Sequence, residues 1–272
     1  MQGKADYIVT GAWSKKAVKE AKRVGTVNIA ATTESESFTR LPKQDELKLD
    51  PEASYVHYTS NNTIFGTQFQ TEPQVGNVPL ICDASSDILY KSIDINKYGM
   101  IYAGAQKNMG PSGCVLLIIR KDLLERSQDS LHTYLNYKVH AEANSLYNTP
   151  ATFAVYLMGL VFKWLLNKGG LDAMHKINVE KAGLLYDFMD NSDGYYKPTV
   201  TVKEDRSLMN VTYRLPNEDL EKKFIAEAAE KGLSGLKGHR SVGGIRASIY
   251  NAFPKEGVEA LVEFMKDFKA KN

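Results

Sequence analysis

Tyr98-Gly-Met-Ile-Tyr-Ala-Gly-Ala-Gln-Lys107-Asn-Met-Gly-Pro-Ser-Gly113, followed by Cys114-Val-Leu-Leu-Ile-Ile119, is the stretch on which the reading of this chain turns. Two short apolar runs flank a connection rich in Gly and Pro, which predicts a strand, a turn and a second strand with one lysine held between them. Gly104, Gly110 and Gly113 around Lys107 let the backbone come close to a ligand. A solvated lysine on a hairpin is the plain alternative, since most lysines are exposed. Upstream, Pro79-Leu-Ile-Cys-Asp83-Ala-Ser-Ser86 runs an apolar strand straight into an aspartate. That sets a carboxylate at a strand's carboxyl end, where open α/β sheets bind ligands. Taken alone, Asp83 could equally cap a helix, because Asp is favoured there.

A lysine and an aspartate at neighbouring strand ends suit pyridoxal phosphate chemistry. The amine condenses with the cofactor aldehyde, and the carboxylate keeps the pyridine nitrogen protonated so that the ring accepts electrons. At these residues the chain resembles a known family. Ala103-Gly-Ala-Gln-Lys-Asn-Met-Gly-Pro-Ser-Gly113 is similar to the cofactor-lysine segment of the phosphoserine aminotransferases, class-V, fold-type I pyridoxal phosphate enzymes of serine biosynthesis. The resemblance runs over essentially the whole chain. It includes Gly11-Ala-Trp-Ser14, Asn62-Thr-Ile-Phe-Gly66, Cys82-Asp-Ala-Ser-Ser86, Tyr147-Asn-Thr-Pro150 and Leu236-Lys-Gly-His-Arg-Ser-Val-Gly-Gly-Ile-Arg-Ala-Ser-Ile-Tyr-Asn-Ala252. Several separate motifs in one order carry more weight than any short pattern.

The resemblance implies an α/β fold: a three-layer, mostly parallel sheet in a large cofactor-binding domain at 1–172, incomplete at its N-terminus, and a smaller C-terminal α+β domain at 173–272. It implies reversible amino transfer between glutamate and 3-phosphohydroxypyruvate, giving O-phosphoserine and 2-oxoglutarate, by a homodimer with shared active sites. Lys107 and Asp83 would then be catalytic. Trp13 would stack on the pyridoxal ring and Thr63 would bond its phenolic oxygen. Gln106 would hold the cofactor phosphate, as would Asn148 and Thr149 across the dimer. Arg246 would grip the substrate carboxylate, and His239 with Arg240 the substrate phosphate. Read without the family, Trp13 is a buried aromatic under a helix, Thr63 a turn residue, Asn148 and Thr149 helix caps ahead of Pro150, and the basic segment a solvated loop with a salt bridge.

Family members carry a further N-terminal portion, about a quarter of the full chain, and the expectation is that it is absent here. With it would go a Gly-rich phosphate loop, a His-Arg pair and an opening strand of the small domain. Two other readings therefore stand beside the enzyme: an inactive or regulatory fragment that pairs with a full-length subunit, and a related pyridoxal phosphate enzyme with another substrate. The latter would share Lys107 and Asp83 without needing His239 and Arg240.

Composition bounds these readings. With 43% hydrophobic and 24% charged residues the chain is an ordinary globular protein and not a disordered one. Its net charge of +2 comes from interspersed lysines and acids with no basic stripe, which speaks against a nucleic-acid partner. No apolar run approaches a membrane span, and Met-Gln-Gly-Lys-Ala-Asp lacks the apolar core of a signal peptide, so cytoplasmic residence is expected. Cys82 and Cys114 are expected in buried strands as free thiols, and five scattered histidines give no metal-ligand spacing.

Periodicity places strands at 5–10, 27–30 and 55–58, and a helix at 14–24 capped by Ser14, with Ala17, Val18, Ala21 and Val24 inward. Strand, helix and strand in alternation predict a doubly wound domain. After Pro150 comes a helix with a broad apolar surface of Phe153, Val155, Tyr156, Leu160, Phe162, Trp164 and Leu165. A long helix at 171–189, a strand at 208–213, a helix at 219–231, a strand at 245–250 and a last helix with Val258, Leu261, Val262, Met265 and Phe268 inside complete the order.

Overall fold

The computed structural model describes residues 3–272. Strands β1 (Lys4–Val9), β2 (Thr26–Thr32), β3 (Val56–Thr59), β4 (Leu80–Asp83), β5 (Met100–Gly104) and β6 (Val115–Ile119) form one sheet in the order β2-β1-β3-β4-β5-β6. Every pairing from β2 through β5 is parallel, and β6 alone runs back, because the 105–114 connection folds it onto β5 as a hairpin. Successive side chains alternate between faces. Ala5, Tyr7 and Val9 of β1 therefore pack with Val18 of helix α1 (Ala12–Ala21). Ile8, Tyr58, Cys82 and Ile101 pack on the opposite face, where Met158 arrives from α4 (Thr152–Asn167). A mostly parallel sheet between two helical layers is the expected three-layer α/β architecture.

The connections are more irregular than the alternating pattern predicts. No α-helix joins β3 to β4 or β4 to β5; the second connection holds only a 3-10 turn at Ile95–Lys97. The first is dense in Asn, Thr, Gly and Pro and the second carries Ser and Asp, residues that compete for backbone groups or break a helix. Two short helices, α2 (Lys121–Leu124) and α3 (Tyr137–Glu142), follow β6.

Helix α5 (Gly170–Asp190) leads into a second layer, in which β7 (Lys197–Pro198), β8 (Asn210–Arg214) and β9 (Ile245–Ser248) make an antiparallel sheet. Helices α6 (Glu218–Glu230) and α7 (Lys255–Lys271) complete its core with α5. Val258, Leu261, Val262, Met265 and Phe268 of α7 are all buried, as their spacing predicts. They meet Tyr196, Tyr213 and Phe224, and the Tyr196 hydroxyl donates to the Met265 carbonyl at 2.8 Å.

Local details correct several expectations. Gly11, not Ser14, is the N-cap of α1; Ser14 sits one turn in, where its Oγ accepts from the Thr10 and Gly11 amides at 3.0 Å each and donates to the Gly11 carbonyl at 2.9 Å. The helix ends at Ala21, so Val24 lies past its last turn and is 78% exposed. Cys114 precedes β6 and is only half-buried, while Cys82 is buried in β4; both are free thiols.

Gly66 joins the two layers. Its φ of 84° lies in the left-handed region, and a Cβ there would collide with the Thr212 hydroxyl and come within 3.1 Å of the Asn210 carbonyl. Only glycine lets the turn after β3 lie against β8, where Ser207 donates its amide to the Gly66 carbonyl at 2.8 Å.

Candidate active site

Because β1, β3, β4 and β5 are parallel, their carboxyl ends open on one side of the sheet. Trp13 follows β1, Thr63 follows β3, Asp83 ends β4 and Lys107 follows β5. The Lys107 Nζ donates to Thr63 Oγ1 at 2.7 Å and stands 5.5 Å from the centroid of the Trp13 ring. Trp13 is not the buried aromatic of the plain reading: it is 39% exposed, and Lys16 Nζ lies 4.4 Å from its ring centroid. Burial lowers the Lys107 pKa from its ordinary value, Asp83 opposes the shift, Arg246 adds to it and Asp87 opposes it. The amine is thus partly desolvated and biased toward its neutral, nucleophilic form.

Asp83 does not cap a helix. One of its oxygens accepts the Ser85 amide at 3.0 Å, and Ser85 Oγ in turn accepts the Gly104 amide at 3.1 Å, tying the ends of β4 and β5 together. Gln106 is exposed and its amide folds back over Gly104, where a Cβ would come within 2.7 Å of Oε1.

Arg246 reaches this group from β9. Its Nη1 donates to the Thr63 carbonyl at 3.3 Å, and its buried Nε has no partner among the described residues. The side chain lines a cavity of about 140 Å³ with Phe65, Thr199, Thr212 and Gly238. A guanidinium whose buried Nε–H lacks a partner, on a side chain that lines a cavity, suits an anion by its chemistry.

The remaining expected residues stand apart. Asn148 and Thr149 are exposed ahead of α4, and the Asn148 side chain donates only to the Thr149 carbonyl, at 3.0 Å. They do not cap the helix, whose N-cap is Ala151. His239 bonds Ser241 Oγ through Nδ1 at 2.7 Å, and the exposed Arg240 side chain makes no ion pair among the described residues. None of these four bonds the Lys107 group within this chain.

Polar neighbours that sequence reading passed over are His57, Tyr102 and Asp87. His57 lies two residues before Thr59, the register partner of Asp83, and Tyr102 is the partner of Asp83 on the other side, so His57 and Tyr102 share its face. His57 Nε2 and the Tyr102 hydroxyl are 2.9 Å apart, and burial lowers the imidazole to about 4 despite the opposing Asp83 charge. A neutral ring therefore backs the carboxylate. The period-two spacing of His57 and Thr59 was the signal for the first of these.

A model of the class-V aminotransferase family matches residues 2–261. A phosphoserine aminotransferase of Desulfatibacillum aliphaticivorans is 58% identical over 98% of this chain and 74% of its own length. Among solved structures, the phosphoserine aminotransferase of Bacillus circulans subsp. alkalophilus superposes with a TM-score of 0.97 at 49% identity, covering 99% of this chain and 74% of that one. A second phosphoserine aminotransferase structure, which concerns radiation damage of its Schiff base, gives a TM-score of 0.97 at 48% identity over 99% of this chain and 75% of that one. Among the described residues no helix is long and apolar enough to cross a membrane, and no three His, Cys, Asp or Glu side chains cluster to hold a metal.

Proposed function

The chain belongs to the phosphoserine aminotransferases within class V, and from that membership we propose that it transfers an amino group reversibly between glutamate and 3-phosphohydroxypyruvate, giving O-phosphoserine and 2-oxoglutarate with pyridoxal 5'-phosphate as cofactor. The observation that carries this reading is the Lys107 amine, desolvated and set among the Trp13 indole, the Asp83 strand end and the unpartnered Nε of Arg246.

This donor set fits the cofactor: a flat ring for stacking, a nucleophilic amine, and a carboxylate at the adjacent strand end. When bound, the cofactor supplies an aldehyde for the amine and a pyridine ring that draws electrons from the substrate α-carbon. Asp83 would hold the proton of the ring nitrogen, and its tie to the Ser85 amide fixes the direction of its other oxygen. Trp13 would take one ring face, Thr63 the phenolic oxygen, and Gln106 the phosphate, with Asn148 and Thr149 of a partner subunit completing that phosphate site.

Arg246 would bind the substrate α-carboxylate through its fork of N–H groups. His239 and Arg240 would take the substrate phosphate on the loop between Gly238 and Gly243. These glycines approach so closely that a Cβ on Gly238 would collide with the Gly243 carbonyl. With the substrate so held, Lys107 Nζ in its neutral form takes the proton from the α-carbon. Exposed Phe153, Val155, Tyr156 and Leu160 on α4 support a homodimer that would bring Asn148 and Thr149 to the neighbouring site.

Lys107→Ala is expected to reduce transamination of phosphoserine and 2-oxoglutarate to background; substantial turnover in that variant would sink the assignment. Borohydride reduction of the wild-type chain with pyridoxal phosphate, followed by peptide mapping, should place the label on Lys107. Phosphoserine turned over no better than alanine would move the chain to another substrate.

A further inference from the structure

Asn108, Asn178, Lys181 and Asn251 are buried, and none of them meets the reactants in the scheme above. Asn108 directly follows Lys107, Asn178 and Lys181 stand about one turn apart on α5, and Asn251 lies in the turn between β9 and α7. Their amides take three consecutive carbonyls of one turn. Asn108 Nδ2 donates to Ile88 at 2.7 Å, Asn251 Nδ2 to Leu89 at 2.9 Å and Asn178 Nδ2 to Tyr90 at 3.4 Å. Leu89 has a φ of 67°, a left-handed conformation that a leucine resists, so this turn is held by its bonds and not by preference.

The amides also hold one another. Asn178 Nδ2 donates to Asn251 Oδ1 at 2.8 Å, and the Asn251 backbone amide donates to Asn108 Oδ1 at 2.9 Å. Lys181 Nζ donates to the carbonyls of Ile249, Tyr250 and Phe253 at 3.0, 2.8 and 3.0 Å, which fastens the post-β9 turn to α5. Among the described residues no carboxylate pairs with this amine, and burial lowers it to about 8. Arg246 lies on the strand that enters this turn, while Lys107 is the neighbour of the residue that receives it.

We infer that Asn108, Asn178, Lys181 and Asn251 are positioning residues for amino transfer: they pin the turn after β9 to the backbone beside Lys107 and so set the spacing between the Lys107 amine and the Arg246 guanidinium. The inference rests on the roles proposed above for those two side chains. An amine and a carboxylate anchor carried on different layers need such a tie, because a misplacement of ~1 Å costs on the order of 100-fold in rate.

The test is Asn108→Ala in the whole chain, which removes both the acceptor of the Asn251 amide and the donor to Ile88, read by hydrogen exchange and by steady-state kinetics. Amide exchange over 104–110 should quicken about tenfold below the melting transition, and kcat should fall about tenfold or more while the glutamate KM stays within about threefold. Val211→Ala opens a cavity in the core behind β8 and is the control: it should lower stability yet leave both readings near wild type. Exchange over 104–110 that is unchanged in Asn108→Ala, or equally raised in Val211→Ala, overturns the inference. The exchange reading needs neither cofactor nor substrate, so a chain without transaminase activity would count against the proposed function and not against the tie. If Asn108→Ala fails to fold, Asn108→Leu keeps about the same shape, loses both bonds and is read by the same criteria.

Discussion

At the scale of the residue, the Arg246 guanidinium is the proposed carboxylate receptor, since its Nε is buried without a partner among the described residues while Nη1 is only loosely engaged at 3.3 Å. Arg246→Ala should raise the glutamate KM on the order of 100-fold, the worth of a charge-assisted bidentate pair. Arg246→Lys should recover little of it, because an ammonium lacks the fork geometry. A glutamate KM within about threefold of wild type in the alanine variant would remove Arg246 from the carboxylate site. Asp87 is a different case. It is 2% exposed and accepts from Ser60 Oγ at 2.5 Å and Gln68 Nε2 at 3.0 Å, yet burial pushes its carboxyl from 3.8 up to about 6. Its folded-state pKa is raised, so the folded chain binds the proton more tightly than the unfolded one. The stability from that proton is fully present below 3.8 and is lost as pH rises through about 6. Asp87→Asn should therefore flatten the pH dependence of the urea midpoint across this window and stabilise the chain near neutrality by about 1 to 3 kcal/mol. A variant whose midpoint tracks wild type at every pH would show that this carboxyl is not the source.

At the scale of the element, the turn after β3 is where the two layers meet, and Gly66 and Gly76 make a matched pair for testing it. Both have left-handed φ, 84° and 63°, but a Cβ on Gly76 meets nothing within 4 Å while one on Gly66 collides with Thr212. Gly76→Ala should cost about 1 kcal/mol, the backbone strain alone, and Gly66→Ala about 2 kcal/mol or more. Equal losses in urea unfolding would mean that the turn can move away from β8. The same elements show what a linear pattern can carry. The hairpin around Lys107, the strand ending on Asp83 and the inward face of α7 follow from apolar periodicity and turn chemistry, which are local properties. The missing crossover helices do not, since alternation suggests a fold class without saying that 60–79 and 84–99 are too rich in turn residues to coil. Nor could Ser14 be distinguished as an internal bracer of Gly11, because one hydroxyl can serve either position. At the site, Trp13, Thr63, Asp83 and Lys107 were visible as residues following strands. The His57–Tyr102 pair behind Asp83 depends on register between strands 45 residues apart, which no local window contains.

At the scale of the whole molecule, the question is what covers α4. The sequence pattern shows an apolar helix, yet only Ala154, Met158 and Leu165 are buried. Phe153 is 72% and Tyr156 61% exposed, and Tyr134, Leu135, Leu146 and Tyr147 before the helix are exposed as well. Scattered apolar residues need no explanation, but a helix face continuous with the segment preceding it is the surface that the proposed interface would use. The proposed twofold homodimer gives this surface a chemical reason. Asn148 and Thr149 lie at the head of that helix and bond nothing in their own chain's site. A closed twofold contact through α4 would bury Phe153 and Tyr156 and present both polar residues to the neighbouring Lys107 at once. The expectation is a dimer in sedimentation velocity, and a monomer when Phe153 and Tyr156 are both replaced by Glu, since two charges would be desolvated at the interface centre. Because both residues are exposed in the single chain, the variant should keep the wild-type circular dichroism while its affinity for pyridoxal phosphate falls. A wild-type chain that sediments as a monomer, or a doubly substituted one that remains a dimer, would place Asn148 and Thr149 outside the cofactor site and leave its phosphate to Gln106 and the backbone around Lys107.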